Sequence, residues 1–295
     1  QRLEPEGVQV RLLTGGLRAA ARRQILQGIQ LGLCDLVVGT HALIQDDVVF
    51  RRLGLVVTDE QHRFGVRQRA ALGSKGACPH VLVMSATPVP RSLSLILYGD
   101  LELSVMDELP PGRKPIRTRM VTERKRADMY AYVAREAEAD RRTYIICPAI
   151  EQNEEHPVQD VQSLYRTLTQ GPLAHTAVGV VHGRMSAQAK QQALEDFRSG
   201  ATKVLISTTV VEVGIHVPEA CNMVIEDADR FGLAQLHQLR GRVGRGAEEA
   251  YCFLVVGDAS PAALERLQVM TATGDGFRIA EEDLNQRGPG EFLGT

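Results

Sequence analysis

Two acids, an amide and an imidazole stand together in "VVTDEQHRFG", residues 56–65, directly after a short β-branched run. A carboxylate pair at the end of a buried strand has the groups that magnesium-nucleotide chemistry needs. One carboxylate holds the hydrated ion and the other orients or deprotonates an attacking water. Asp59 and Glu60 are of the right type for those two tasks, and Gln61 and His62 add polar groups beside them. An ordinary strand end capped by acids looks the same, so this pair alone decides little.

A second stretch, "QLHQLRGRVGRG" at residues 235–246, is more specific. Gly241 and Gly244 directly precede Arg242 and Arg245, so the backbone can pack closely where the arginines emerge. Guanidinium forks bind phosphate oxygens and stabilise charge developing on a transferred phosphoryl group. A solvated basic helix accounts for the arginines but not for the Q-x-x-G-R-x-G-R spacing, which starts at Gln238. Three weaker clusters accompany these two. "GTHA", residues 39–42, offers an amide and a hydroxyl to phosphate oxygens. "SATP", residues 85–88, places two hydroxyls where a strand stops at a proline. In "STTVVEVGIHVPEA", residues 207–220, Thr208, Thr209 and Glu212 fall at a strand-to-helix turn suited to holding a backbone phosphate without reading a base. Each of the three, taken alone, is equally a capped turn.

The elements that must position these groups are short. Nine apolar, β-branched runs recur: "VQVRLLTG", "CDLVVGTH", "LGLVVTDE", "HVLVMSAT", "RTYIICPAI", "AVGVVHG", "KVLISTT", "MVIED" and "AYCFLVVG". Continuous apolar runs suit parallel strands covered on both faces. Leu17 to Gly32 and Ser186 to Phe197 carry helix formers with apolar residues three and four apart. The pattern is α/β, built twice. The break falls in "DELPPGRKPIRT", residues 107–118, whose three prolines and glycine cannot continue a helix or a central strand. In an open parallel sheet ligands gather at the carboxyl ends of strands. "THA", "TDE", "SATP", "HGRM" and "TTVVEVG" all follow strand-like runs, which raises the expectation of one composite site.

Composition sets the bounds. The 295 residues suffice for two domains of ordinary size. An apolar fraction of 44% with 24% charged residues is that of a soluble globular protein, with no apolar span of membrane length and no signal-like amino terminus, so a cytoplasmic location is expected. A net charge of −2 provides no bulk attraction to nucleic acid, so any contact with it must come from a local groove. Cys34, Cys78, Cys147, Cys221 and Cys252 form no CxxC pair and read as free thiols. The start "QRLEPEGVQV" and the end "RGPGEFLGT" read as those of a fragment.

Taken together, "GTHA", "DEQHRFG", "SATPVPR", "HGRM", "TTVVEVG" and "QLHQLRGRVGRG" resemble, in order, motifs Ib through VI of the superfamily 2 helicases. The linker "DELPPGRKPIRT" and the tail "DGFRIAEEDLNQRGPGEFLGT" narrow the resemblance to the RecG family of bacterial ATP-dependent DNA helicases. The transcription-repair coupling factor shares the motor and the tail but has a different linker.

The resemblance implies two RecA-like parallel-sheet lobes, the first incomplete at its N-terminus, followed by the start of a translocation motif. Their expected bounds are 1–108 for the first lobe, 109–118 for the linker, 119–273 for the second lobe and 274–295 for the translocation motif. It implies ATP and Mg2+ as cofactors, with Asp59 and Glu60 as the magnesium-binding and water-activating acids and Gln61 and His62 completing the box. Ser85, Ala86 and Thr87 would couple nucleotide state to DNA. Gln238, Arg242 and Arg245 would face the γ-phosphate, the two arginines being the finger candidates, with Gly214 and His216 also beside the nucleotide. Thr40, His41, Arg184, Thr208 and Thr209 would lie along the DNA, and Arg287 in the translocation segment. The implied partners are branched double-stranded DNA, namely forks and Holliday junctions, and single-stranded DNA-binding protein. The implied setting is a monomer in the bacterial cytoplasm, nucleoid-associated and away from membranes.

Two departures stand out. His216 occupies a position where the family usually has an aspartate, and a neutral imidazole offers one acceptor against a carboxylate's two oxygens. The phosphate loop, adenine-recognising segment, motif Ia and wedge domain of the family are not among these residues, so the chain by itself is expected not to hydrolyse ATP. Three functions stay open: a RecG-type motor, a coupling-factor motor, and a non-hydrolysing DNA-binding derivative.

Overall fold

The computed structural model of the chain describes residues 3–59, 75–85, 102–106, 108, 112–148, 161–208, 217, 219–246, 248–257 and 259–287. The chain divides into two compact units, residues 1–86 and 87–295.

The first unit contains β1 (Val10–Leu13), α1 (Ala19–Leu31), β2 (Leu36–Gly39), β3 (Leu55–Thr58) and β4 (His80–Val83). β1 pairs with β2 and β3 with β4, both in parallel. α1 makes the crossover from β1 to β2 and stops at Gly32, whose φ of 72° closes the helix with backbone bonds that a side chain would disfavour. Leu13, Ile29, Ala42 and Val48 form its buried cluster. The expectation of strands covered on both faces is not met here. Leu12 and Leu55 are 57% and 58% exposed, and Val38 and Val57 also face outward, while Leu13 and Val56 are buried. Among the described residues β3 alternates between exposed and buried positions, and β2 and β4 are mostly exposed although their sequences are apolar.

The second unit is built on an all-parallel six-stranded sheet of order β5-β10-β9-β6-β8-β7. Its elements are β5 (Arg117–Thr122), α2 (Glu123–Glu138), β6 (Arg142–Cys147), α3 (Val161–Thr169), β7 (Val178–Val181), α4 (Ala187–Ser199) and β8 (Val204–Thr208). They continue with β9 (Ala220–Ile225), α5 (Leu233–Arg240), β10 (Tyr251–Val256), α6 (Pro261–Ala272) and α7 (Gly276–Arg287). Here both faces are covered. Tyr144, Ile146, Met223 and Ile225 pack with Phe197, Leu233, Leu236 and Leu267 on one side. Ile145, Val224 and Val255 pack with Tyr130, Val133, Leu164 and Leu168 on the other. Successive residues of one strand point to opposite layers, and β6 is accordingly buried at all six positions.

All nine apolar runs contain strands. The tenth strand, β5, does not come from an apolar run, and it begins inside the residues expected to be linker. "RTRMVT" alternates exposed Arg117 and Arg119 with half-buried Thr118 and Met120, as suits an edge strand that pairs on one side, with β10. Among the described residues no helix is long and apolar enough to cross a membrane. Cys147, Cys221 and Cys252 are buried free thiols, whereas Cys34 is half-buried and Cys78 exposed.

Candidate active site

In the first unit the candidate residues sit where strands end. β3 and β4 run in register Thr58↔Val83, and the Met84 N–H extends the ladder by donating to Thr58 O at 2.8 Å. The register therefore sets Asp59 opposite Met84, and Asp59 and Ser85, both exposed, stand one step apart at the carboxyl edge of this pair. Thr40 and His41, also exposed, follow β2 into one 3-10 turn, His41–Leu43. The glycine before them has a packing cause: a Cβ on Gly39 would lie 2.3 Å from the Leu13 carbonyl oxygen. Glu60, Gln61, His62, Ala86 and Thr87 lie outside the described residues.

In the second unit the same edge carries Arg184, exposed in the turn after β7, and Thr208, the last residue of β8. The turn is braced by Lys190 Nζ donating to Gly183 O at 2.8 Å and by Ser186, whose hydroxyl caps α4 by accepting from Ala189 N at 3.2 Å. Among the described residues the Thr208 hydroxyl is buried with no hydrogen-bond partner, whereas Arg184 is exposed. Thr209, Gly214 and His216 lie outside the described residues. An unforeseen acid stands at the carboxyl end of β9. Glu226 follows β9 directly, is 1% exposed, accepts from the Tyr130 hydroxyl, and pairs with Arg126 Nη2 at 2.7 Å. Burial pushes its carboxyl above the usual range, and the Arg126 charge partly offsets this. The one sequence signal was an acid closing an otherwise apolar run.

The arginine segment lies at the opposite edge. α5 carries Gln238 and ends at Gly241; the chain then turns so that the Gly244 N–H donates to Ala220 O, at the first residue of β9, at 3.2 Å. Gly244 has φ +68°, and a Cβ there would lie 2.9 Å from Ala250 Cβ and 3.1 Å from Ile116 Cγ1. The R-x-G-R spacing thus has a local cause: no other residue fits the turn that carries Arg242 and Arg245 back to the amino ends of the strands. Arg245 is exposed and its Nε donates to Gly241 O at 3.4 Å, while Arg242 is half-buried. Burial, then Arg242, then Arg113 hold the Arg245 guanidinium below its ordinary proton affinity. Burial pushes the nearby Tyr144 hydroxyl up to about 12, and Arg242 and Arg245 pull against it.

Within the motif, Arg240 and His237 serve the fold. Arg240 is 4% exposed; its Nη1 donates to Met270 O at 2.9 Å and to Thr273 O at 3.0 Å, closing the carboxyl end of α6. Its Nη2 lies 3.0 Å from His237 Nδ1, which must accept because a guanidinium can only donate. Burial, then Arg240, hold His237 down at about 4. α7 follows, and Arg287 is its last residue.

Among the described residues of the second unit the candidates fall into two groups. Arg184 and Thr208 mark the carboxyl edge of the sheet and the arginines its amino edge, roughly 15–20 Å apart for five or six residues of strand. The cause is the β9–α5–β10 crossover, which returns the end of α5 to the starting edge.

Two family patterns match the chain in tandem: "DEAD/DEAH box helicase" over residues 1–96 and "Helicase conserved C-terminal domain" over residues 124–247. The ATP-dependent DNA helicase RecG of Synechocystis sp. is 54% identical over 286 residues, 97% of this chain and 34% of that protein. The ATP-dependent DNA helicase RecG of Thermotoga maritima is 50% identical over 288 residues, 98% of this chain and 37% of that protein. A solved structure of RecG bound to a three-way DNA junction is 46% identical, with a TM-score of 0.76, covering 98% of this chain and 38% of that one. Over nearly its whole length the chain is similar to RecG helicases.

It spans between a third and two-fifths of the length of these RecG relatives. More distant helicases share the fold: Lhr of Mycobacterium smegmatis, bound to ssDNA and AMP-PNP, is 17% identical with a TM-score of 0.65. Thr40, Asp59 and Ser85 fall within the first matched pattern, and Arg184, Thr208, Gln238, Arg242 and Arg245 within the second. Arg113 falls between the two and Arg287 beyond them.

Proposed function

We propose that this chain is the motor portion of an ATP-dependent translocase that moves on double-stranded DNA at forks and Holliday junctions, in recombination and repair. The observation that carries this reading is the 46% identity, across 98% of the chain, to a RecG bound to a three-way DNA junction. In this reading residues 1–108 and 119–273 are the two motor lobes, 109–118 the linker, and 274–295 the start of the translocation segment. Arg242 and Arg245 face the γ-phosphate, where fixed cations stabilise charge on the transferred group, and Gln238 orients them. Ser85, which follows β4, relays nucleotide state toward DNA together with Ala86 and Thr87 in this reading. Arg184, Thr40 and His41 hold backbone phosphates at strand ends, with Thr208, Thr209 and Arg287 as further contacts. Gly214 and His216 border the nucleotide.

Mg2+ is part of this proposal. Asp59 offers an exposed carboxylate at a strand end, a hard oxygen donor of the kind that suits a hydrated magnesium ion bound mainly through nucleotide phosphates. The ion would neutralise charge between the β- and γ-phosphates, and Glu60 would orient the attacking water. The setting we infer is the bacterial cytoplasm at the nucleoid, as a monomer, with single-stranded DNA-binding protein as a further partner.

The test is Glu60→Gln in the full-length protein. DNA-stimulated ATP hydrolysis is expected to fall at least about a hundredfold, within the range for losing a general base, while ATP binding is kept. Turnover retained at the wild-type rate rejects the assignment.

A further inference from the structure

Arg113 belongs to none of the motifs above. It stands four residues before β5, in "PPGRKPI". Its Nη2 donates to the carbonyl oxygen of Gly241 at 3.3 Å, and that same oxygen accepts Arg245 Nε at 3.4 Å. Two guanidinium groups from distant parts of the chain thus meet at one oxygen, and the next residue along, Arg242, is a third. Like charges brought together repel, and one neutral carbonyl, even with the negative end of the α5 dipole behind it, compensates only part of this. Burial first, then Arg242 and Arg113, lower the proton affinity of Arg245. A ligand with several anionic oxygens removes the repulsion, since each planar fork can present two parallel N–H groups to such a group. Among the described residues Arg113 uses one of its five N–H donors, on Gly241, and is left with donors for a ligand.

We propose that Arg113 is a third arginine of the nucleotide site, contacting the terminal phosphate of ATP alongside Arg242 and Arg245. The segment that enters β5 then distinguishes a triphosphate from a diphosphate, because the donors of Arg113 not used on Gly241 meet a phosphate only in the former. This inference rests on the reading that Arg242 and Arg245 face the γ-phosphate. It differs from a purely structural role, in which Arg113 only closes the carboxyl end of α5: a helix cap serves the protein equally whichever nucleotide is bound.

The experiment compares Arg113→Gln and Arg113→Lys with the wild type in the full-length protein, measuring binding of a non-hydrolysable ATP analogue and of ADP, turnover on fork DNA, and the thermal midpoint. For Arg113→Gln the ratio of analogue to ADP affinity is expected to fall about tenfold and turnover at saturating ATP at least tenfold, with ADP affinity within twofold of wild type. Arg113→Lys keeps a donor for Gly241 but lacks the fork, so it is expected to hold the wild-type midpoint and still lose most of the discrimination. Equal loss for both nucleotides, or no loss in either variant, overturns the proposal. If Arg113→Gln lowers the midpoint, Arg113→Lys decides: unchanged discrimination overturns the proposal and lost discrimination supports it. Arg245→Gln is run beside them. Unchanged turnover in that variant overturns the underlying assignment of the arginines and the proposal with it; reduced turnover there with normal Arg113 variants overturns the role of Arg113 alone.

Discussion

His237 and Arg240 lie inside the most recognisable stretch of the chain, yet their work in the second unit is structural. An imidazole that must accept from a guanidinium has to stay neutral, and burial together with the Arg240 charge holds it down at about 4. The sign of the consequence follows. The unfolded chain binds the His237 proton near the ordinary value of about 6.5, and the folded protein only near 4, so the unfolded state carries more protons between these values. Stability contributed here is full above about pH 6.5 and is lost as pH falls toward 4, at most about 3 kcal/mol for a shift of this size. Denaturant unfolding at pH 7 and pH 4.5 measures the slope, and His237→Gln is expected to flatten it. An unchanged slope in the variant counts against this account. At the same scale, Asp59, Arg242 and Arg245 stand out in the sequence as types suited to the phosphate chemistry proposed for them. Glu226 does not, because nothing nearby in the sequence announces the Tyr130 and Arg126 that meet it from about a hundred residues away.

Among the elements, the turn after α5 depends most on one residue. Gly244 combines a left-handed backbone with contacts that exclude a Cβ. Gly244→Ala is expected to cost about 1–2 kcal/mol from the backbone alone, with a further loss from the crowding of Ala250 and Ile116. The same change displaces Arg245, so ATP turnover of the full-length protein should fall by more than the stability loss explains. Thermal unfolding and turnover, measured on one preparation, separate the two effects. Normal turnover would place Arg245 away from the reacting phosphate. The strands were legible wherever they were apolar, as in "RTYIIC" and "KVLIS". β5 was not, because an edge strand buries only one side and the alternation of Arg117 and Arg119 with Thr118 and Met120 resembles the end of a basic linker.

For the whole molecule, the net charge of −2 means that binding to DNA must draw on local cations such as Arg184 rather than on a global field. Contacts to phosphates release counterions, so affinity for fork DNA should fall steeply between about 50 and 200 mM salt and depend little on sequence. Titrations with forks of unrelated sequence at several salt concentrations test this, and a flat response would remove the phosphate-contact assignment. The two units differ in how far they are packed among the described residues: both faces of the second sheet are covered, whereas Leu12, Val38, Leu55 and Val57 remain outward in the first.

By itself the sequence determined the α/β class, the positions of nine strands, and the residue types that resemble a helicase motor. Those features are local, written in hydrophobic runs and in the spacing of glycines and arginines. Only the tertiary structure decided that the arginine segment and Arg184 stand at opposite edges of one sheet, that Gly244 is demanded by the turn, and that Arg113 joins Arg245 at a single carbonyl. Each of these depends on where a crossover returns the chain, and residues brought together over more than a hundred positions leave no periodic trace in a sequence.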